Sequence, residues 1–171
     1  VSSLNEKSLQ PDREFLDHLM RLGLQIDRPG EGAVRVSGSV LRGGTFNLSA
    51  CPDVAPALAA VASLAPEPVR IEGARHLRLK ESDRIETLVA ILTACGVAAS
   101  SRDDGLEVRG PIEFADGATA VVNVRGDHRM VMAAALVGLR RPVWIDDAGC
   151  VSKSFPGFFR RWPGALEWRD D

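Results

Sequence analysis

The chain is 171 residues long, enough for one domain of ordinary size, and its 45% hydrophobic and 26% charged residues are typical of a globular protein. A formal net charge of -2 gives no reason to expect a nucleic-acid partner or an anionic membrane, and no apolar run approaches a membrane span. The three cysteines, Cys51, Cys95 and Cys150, lack the CxxC spacing of zinc and redox sites. We therefore expect reduced thiols, no metal and a cytoplasmic location.

Hydrophobic periodicity predicts helices and strands that alternate along the chain. The predicted elements are, in order, a helix at 12–22, strands at 24–28, 33–37 and 45–49, a helix at about 53–64, a strand at 68–72, a helix at 83–95, a hairpin of 97–101 with 105–109, a strand at 120–124, a helix at 128–139, a strand at 142–146 and a short helix near 155–162. The helix at 128–139 is apolar nearly all round, which predicts burial. The polar tail from Glu167 to Asp171 is expected to fray. Alternation of this kind indicates an α/β or α+β fold with helices packed on sheets.

An internal repeat of about 73 residues organises the chain. TFNLSACPDVAPALAAVASLAPEPVRIEGA, from Thr45 to Ala74, has the same pattern as TAVVNVRGDHRMVMAAALVGLRRPVWIDDA, from Thr119 to Ala148. The flanking segment 16–38 parallels 88–110. The repeat predicts one domain over residues 1–171, built from units of strand, helix, strand, helix, strand, strand. Since the chain opens partway through a unit, we expect it to be a piece of something longer.

Acidic residues precede the apolar helices of both copies. Asp53 is either an ordinary N-cap or a base whose charge is held at a helix N-terminus. Asp83 and Glu86 fit a D-x-x-E capping box, so both are expected to be structural. Asp127 is also an adequate N-cap. His128, which follows it, has no partner His or Cys at ligand spacing, and this favours a satisfied histidine over a metal ligand.

Cations occupy comparable positions in the two copies. Arg84 and Arg129 each lie at the positive end of a helix dipole, an unfavourable place for a cation unless an anion binds there. Lys80 and Lys153 follow the two copies at equivalent places, although a solvated charged loop around Lys80 remains an alternative. We expect these four cations to converge on one anionic ligand, with two carboxylates, Asp53 and Glu81, beside it. Such a set suits proton transfer on a phosphorylated or carboxylated substrate.

Five motifs, in this order and spacing, resemble the 5-enolpyruvylshikimate-3-phosphate synthase family: SLQPD, CPDVAPALAAVA, RLKESDRIETL, GDHRMVMAAALVGL and KSFPGFF. The resemblance extends over essentially the whole chain but covers only the C-terminal part of the family's sequence. It implies an inside-out α/β barrel of βαβαββ units distributed over two domains. It also implies that the missing N-terminal domain of the same enzyme is a partner of this chain, and that the chain alone is inactive.

The resemblance implies a transferase of the shikimate pathway of aromatic amino acid biosynthesis. The enolpyruvyl group of phosphoenolpyruvate passes to the 5-hydroxyl of shikimate 3-phosphate through a tetrahedral adduct, with no metal or organic cofactor. By the same resemblance, Asp53 contacts the shikimate hydroxyls and takes the hydroxyl proton, while Glu81 transfers a proton at the methylene carbon. The residues expected to bind substrate are Lys80 for shikimate 3-phosphate, and Arg84, His128, Arg129 and Lys153 for phosphoenolpyruvate.

Two positions depart from the family pattern. Pro11 replaces the usual glycine of SLQPD, and His76 stands where some members have a substrate-contacting asparagine.

Two other functions stay open. The related UDP-N-acetylglucosamine 1-carboxyvinyltransferase shares the fold, but KESDR and DHRM argue against it. A non-catalytic anion-binding module is the third possibility, and the pair Asp53 and Glu81 argues against it because a pure binder needs no proton-transfer groups.

Overall fold

The computed structural model describes residues 8–38, 40–112 and 118–162. Its α-helices are α1 (Phe15–Arg21), α2 (Ala55–Ala62), α3 (Arg84–Ala94) and α4 (His128–Gly138). Its strands are β1 (Gln25–Asp27), β2 (Arg35–Ser37), β3 (Gly44–Asn47), β4 (Val69–Glu72), β5 (Ala98–Arg102), β6 (Gly105–Arg109), β7 (Ala120–Val122) and β8 (Val143–Ile145). Short 3-10 helices occupy Pro11–Glu14, Pro52–Val54, Arg75–Leu79, Ala148–Lys153 and Phe159–Arg161. The predicted fraying of the tail from Glu167 to Asp171 lies outside the described residues.

The central sheet contains one complete unit of the predicted kind. Strand β3 pairs in parallel with β4, β4 pairs antiparallel with β6, and β6 pairs antiparallel with β5, which gives the order β3-β4-β6-β5. Two smaller sheets repeat its parts, because β7 and β8 are parallel like β3 and β4, and β1 and β2 form an antiparallel hairpin like β5 and β6. The predicted α/β or α+β class is therefore confirmed, and in the part of the chain described here no sheet closes into a barrel.

The helices form a buried layer beside the sheets. Helix α2 packs against α4 and α3, and α3 also packs against β5. As predicted, α4 is largely buried, through Met130, Val131, Ala133, Ala134, Ala135 and Val137. Fully burying one Leu, Ile or Met side chain stabilises a fold by about 1.5–3 kcal/mol. The buried helix layer is therefore stable and fixes the positions of the loops that precede each helix. Among the described helices, none has the length and apolarity that crossing a bilayer requires.

The predicted helix at about 53–64 begins later than expected. Pro52–Val54 form a 3-10 turn, and the α-helix starts at Ala55. The side chain of Asp53 makes no capping hydrogen bond, so the N-cap interpretation of this residue is wrong. A 3-10 turn this short has no hydrophobic periodicity of its own, and the sequence pattern therefore merged it with the helix.

The predicted short helix near 155–162 is present only as the 3-10 turn Phe159–Arg161. Pro156 and Gly157 interrupt the segment, and Gly157 has a φ of 76°, which a right-handed helix does not allow. A second 3-10 helix, Ala148–Lys153, lies where the sequence predicts no helix. The described residues after β8 thus form tight turns, one of which carries Lys153.

The parallel pairs explain where the charged residues gather. The carboxyl ends of parallel strands share one edge of a sheet, and the segments that follow them start there. Strand β3 leads into α2, and β7 leads into α4, which packs against α2. The N-terminal ends of these two helices are therefore expected near one another, and side-chain contacts between Asp53 and Arg129 confirm that they are.

Candidate active site

Asp53 is the centre of a group of three cations. Its carboxylate accepts a hydrogen bond from Nη1 of Arg84 at 3.0 Å and lies 3.4 Å from Nη2 of Arg129 and 3.7 Å from Nζ of Lys80. Nη1 of Arg129 also donates to the main-chain oxygen of Asp53 at 2.7 Å. Residues that lie far apart in the sequence thus meet at one carboxylate, whose side chain is 30% exposed. The structure brings together four of the seven residues that the sequence singles out.

Asp127 is a second, fully buried carboxylate that ties two helix N-termini together. As predicted it caps α4, accepting the backbone N–H of Arg129 at 2.9 Å. It also accepts from Nε of Arg84 at 2.8 Å and from the hydroxyl of Ser82 at 3.2 Å. Burial by itself raises the pKa of this carboxyl, but the Arg84 side chain, the Arg129 amide and the Ser82 hydroxyl together outweigh burial and leave the pKa below its ordinary value. Asp127 is therefore held as a carboxylate.

Arg84 is buried between the two carboxylates. Its side chain is 4% exposed, and its three guanidinium nitrogens all lie within hydrogen-bonding distance of Asp53 or Asp127. A buried cation needs such pairing, because an uncompensated charge would be very costly. In the structure Arg84 fixes the two carboxylates, and the direct binding of an anion that the sequence predicts for it stays a prediction. Arg129 and Lys80 are about one-third exposed and remain within reach of a ligand.

Glu81 and His128 form a separate pair at the start of α4. Nδ1 of His128 lies 3.1 Å from Oε2 of Glu81 and 4.0 Å from Oδ1 of Asp127. Glu81 is half-exposed, and His128 is mostly buried. The three side chains are of metal-binding types and lie close together. However, the oxygens of Asp127 are already used by Arg84, Ser82 and the Arg129 amide, so the arrangement fits proton transfer between Glu81 and His128 better than a cation.

Lys153 is the last of the residues that the sequence predicts for the site. It ends the Ala148–Lys153 turn, which packs against α4, and it is exposed. Within the described ranges its ammonium group makes no hydrogen bond or ion pair. The pKa of the nearby Cys150 thiol is raised, first by burial and then by the charge of Asp147, whereas the charge of Lys153 acts to lower it. Among the described residues, no hydrogen bond or ion pair joins Lys153 to Asp53.

An open cleft of about 500 Å³ lies at the start of α3 and is lined by Glu81, Ser82, Asp83, Glu86, Thr87 and Arg125. Asp83 caps α3 by accepting the backbone N–H of Glu86 at 3.1 Å, as predicted. The carboxylate of Glu86 pairs with Arg78 instead of closing the box. Arg125 has a φ of 52°, which is uncommon for a residue other than glycine, and the sequence pattern did not single it out.

Comparison with known proteins identifies the family to which this sequence is similar. Residues 1–162 match the protein family described as EPSP synthase (3-phosphoshikimate 1-carboxyvinyltransferase). A curated relative of that name from Syntrophobacter fumaroxidans is 40% identical over 157 residues, which cover 91% of this chain and 37% of the relative. Another, from Methanocorpusculum labreanum, is 38% identical over 162 residues, which cover 94% of this chain and 37% of the relative. The chain thus spans little more than a third of the length of these relatives.

Solved structures show the same fold. An EPSP synthase from Acinetobacter baumannii is 27% identical, with a TM-score of 0.71 over 85% of this chain and 37% of that structure. The enolpyruvyl transferase NikO from Streptomyces tendae has a TM-score of 0.72 over 88% of this chain and 34% of its own, and at 21% identity this likeness concerns the fold alone. From the family match over residues 1–162, together with these relatives, the chain belongs to the EPSP synthase family.

Proposed function

We propose that this chain supplies part of the active site of a 3-phosphoshikimate 1-carboxyvinyltransferase. The enzyme would transfer the enolpyruvyl group of phosphoenolpyruvate to the 5-hydroxyl of shikimate 3-phosphate and release phosphate. The observation that carries this proposal is the carboxylate of Asp53 among Lys80, Arg84 and Arg129. A carboxylate in this setting can accept a hydroxyl proton while neighbouring cations hold anionic substrates.

The chemistry needs one proton to leave the acceptor hydroxyl and another to pass to the methylene carbon and back, and the site offers one carboxylate for each atom. When the 5-hydroxyl oxygen bonds to the central carbon of phosphoenolpyruvate, its proton passes to Asp53, and the methylene carbon gains a proton to become a methyl group. Glu81, paired with Nδ1 of His128 at 3.1 Å, is the group proposed for that carbon. The tetrahedral adduct then loses phosphate as the methyl group gives a proton back. The enolpyruvyl double bond is thereby restored without a cofactor.

Of the four cations, one positions the carboxylates and three bind the anionic substrates. Arg84 is buried and holds Asp53 and Asp127, so it acts as a positioning residue. Arg129 is partly exposed, and its contact of 3.4 Å with the Asp53 carboxylate is long for a hydrogen bond, so a substrate anion can compete for this guanidinium. Lys153 has no ion-pair partner among the residues described, and Lys80 is partly exposed. Phosphoenolpyruvate is assigned to Arg129 and Lys153, and shikimate 3-phosphate to Lys80.

The proposal includes a second part of the enzyme. The chain matches only 37% of the length of its curated relatives, so an N-terminal domain such as they carry is proposed to complete the shikimate 3-phosphate site. The reaction belongs to aromatic amino acid biosynthesis, and we propose a cytoplasmic location for it. No nucleic acid or membrane is involved in this function.

The test is an acceptor assay with the complete protein that carries this chain. Release of phosphate from phosphoenolpyruvate is measured with shikimate 3-phosphate and, separately, with UDP-N-acetylglucosamine. We expect release, with formation of the enolpyruvyl ether, only with shikimate 3-phosphate. Release only with the nucleotide sugar would identify the related transferase instead. If phosphoenolpyruvate binds but neither acceptor supports release, the chain is an anion-binding module and the proposal fails.

A further inference from the structure

A second group of reactive side chains lies at the junction of α1 and α2. Glu14, His18 and Cys51 place an oxygen, a nitrogen and a sulfur within 4.8 Å of one another. Glu14 ends the 3-10 helix that continues into α1, and His18 follows four residues later, so both lie on one face of a continuous helical segment. Cys51 comes from the loop that precedes the Pro52–Val54 turn. None of the three takes part in the site around Asp53.

The distances suit joint binding of a metal ion. Nε2 of His18 lies 3.8 Å from Sγ of Cys51. Two ligands of a tetrahedral zinc ion, at a Zn–S distance of about 2.3 Å and a Zn–N distance of about 2.0 Å, lie about 3.5 Å apart. A shift of a few tenths of an ångström would therefore bring the sulfur and the nitrogen to ligand spacing. Glu14 is exposed and would supply the third ligand together with a path from solvent.

The surroundings do not explain this pair as an ordinary hydrogen-bonded network. His18 is 6% exposed and Cys51 is 1% exposed. The ring of His18 contacts Phe46 edge-on at 6.0 Å, and Nδ1, which is not the nitrogen beside Cys51, has no hydrogen-bond partner among the described residues. A thiol is only a weak hydrogen-bond donor, so its contact with the imidazole does little to offset the burial of both groups. Coordination by both would account for their proximity.

We propose that Glu14, His18 and Cys51 form a binding site for a borderline-soft divalent cation of the Zn²⁺ class, with water in the remaining position. Thiolate, imidazole and carboxylate are the ligand types that zinc takes in proteins. On binding, the Cys51 thiol releases its proton to water, and His18 and Glu14 donate lone pairs without any redox change. Because Cys51 lies two residues before Asp53, the ion links α1 to the turn that carries the central carboxylate. The sequence did not indicate this site, since its ligands come from a helical i, i+4 pair and a distant loop.

The test measures metal binding by the purified, metal-free protein. Zn²⁺ affinity is determined by competition with a chromophoric chelator, and Co²⁺ is used as a spectroscopic substitute. We expect one equivalent to bind, with a sulfur-to-cobalt charge-transfer band in the near ultraviolet. Cys51→Ser should abolish the band and lower Zn²⁺ affinity by at least about 100-fold. Mutating a residue that only hydrogen-bonds to a metal ligand already lowers metal affinity by about 10–100-fold, and loss of a ligand should cost at least as much. Glu14→Gln should retain the band and lower affinity about tenfold.

Matched controls separate this site from adventitious binding. Cys95→Ser removes another buried cysteine, and Asp17→Asn removes an exposed carboxylate of α1 that is not in the group; both should leave the band and the affinity unchanged. The proposal is overturned if the unchanged protein binds less than one equivalent, or if Cys51→Ser keeps the band. Since Glu14 is exposed, Glu14→Gln leaves the core intact, and unchanged Zn²⁺ affinity in this variant would also overturn the three-ligand site. Neither readout depends on transferase activity.

Discussion

Three aspartates precede apolar helices in this chain, and their side chains do different things. Asp83 caps α3 through the backbone N–H of Glu86. Asp127 caps α4 and also holds the buried Arg84. Asp53 caps nothing, although it follows a proline and precedes an apolar helix, a setting in which capping is common. Its carboxylate faces cations instead, and a residue freed from a structural role in this way is available for chemistry.

Replacing Asp53 separates catalysis from capping. In the complete enzyme, Asp53→Ala should lower kcat by about 10²–10⁴-fold, the usual contribution of a general base. Its effect on the free energy of unfolding should be small, because Asp53 caps no helix and Arg84 keeps Asp127 as a partner. Steady-state phosphate release and urea unfolding measure the two effects.

Asp83→Ala is the control for capping. It should lower stability by about 1 kcal/mol, because the cap of α3 is lost, and should change kcat much less than Asp53→Ala does. If Asp53→Ala and the unchanged enzyme have equal kcat, Asp53 is not the general base of the reaction.

Asp127 should matter for stability in a pH-dependent way. Asp127→Asn leaves the buried Arg84 without its nearest charge partner, and breaking a buried ion pair costs about 3–5 kcal/mol. The pKa of this carboxyl is lowered in the folded state, so its contribution is present above the unfolded-state pKa and is lost as the pH falls through the folded one. The destabilisation caused by Asp127→Asn should thus be constant from neutral pH to about pH 4 and shrink below it.

Urea unfolding of both proteins across this pH range tests the expectation. Asp103→Asn, in the exposed turn between β5 and β6, is the control and should change stability by less than about 0.5 kcal/mol. A destabilisation by Asp127→Asn that grew as the pH fell would show that Asp127 is not held as a carboxylate. The sequence predicts only the capping bond of Asp127, because capping is a local pattern. The link to Arg84 joins two copies of the repeat, and no local signal reveals it.

At the scale of elements, the helices were predictable and the 3-10 turns were not. The predicted helix 83–95 is observed as Arg84–Ala94, and 128–139 as His128–Gly138. Both have an acidic cap and a long apolar pattern, and these two signals together define a helix in sequence. The 3-10 turns at Arg75–Leu79 and Ala148–Lys153 are too short for periodicity, yet Lys80 follows the first and Lys153 ends the second. The placement of these two lysines therefore needed the structure.

Arg141 stabilises the C-terminal end of α3 without any carboxylate partner among the described residues. It is 8% exposed, and its guanidinium donates to the main-chain oxygens of Cys95, at 2.7 Å, and Ala118, at 2.9 Å. A cation at the negative end of a helix dipole is favourable, and hydrogen bonds from charged groups contribute about 1.5–3 kcal/mol. Arg141→Met keeps the apolar part of the side chain and should lower the free energy of unfolding by about 2–3 kcal/mol.

Thermal and urea unfolding of Arg141→Met measure this loss. Arg35→Met, on the exposed strand β2, is the matched control and should fall within about 0.5 kcal/mol of the unchanged protein. If the two variants are equally stable, the carbonyl contacts of Arg141 contribute nothing net. The buried Nε of Arg141 lacks a described partner, so the measured loss should lie below the sum of two full hydrogen bonds to a charged group.

The duplication accounts for how one molecule gathers these charges. Each copy places a helix after a parallel strand, and packing of α2 on α4 brings the two helix starts together. The sequence predicts this much, because repeat spacing and strand direction determine which ends share an edge. It does not predict that Asp53, from one copy, is the residue that Arg129, from the other, reaches. Such pairings depend on side-chain lengths and on the late start of α2 at Ala55.

At the scale of the whole molecule, we expect this chain alone to show no turnover. The side chains proposed to meet substrate, Lys80, Glu81 and Arg129, are each about one-third to one-half exposed, so this chain encloses a substrate on one side only. Holding two reactants in position can lower the activation barrier by about 7–11 kcal/mol, and a site that contacts the substrates on one side only cannot achieve this. Phosphate release from phosphoenolpyruvate is measured with the chain alone, with the complete protein, and with the chain plus a separately produced N-terminal region. Only the last two should turn over, and Asp53→Ala in the chain should lower the restored activity by about 10²–10⁴-fold. Multiple turnover by the chain alone would show that it contains the entire active site.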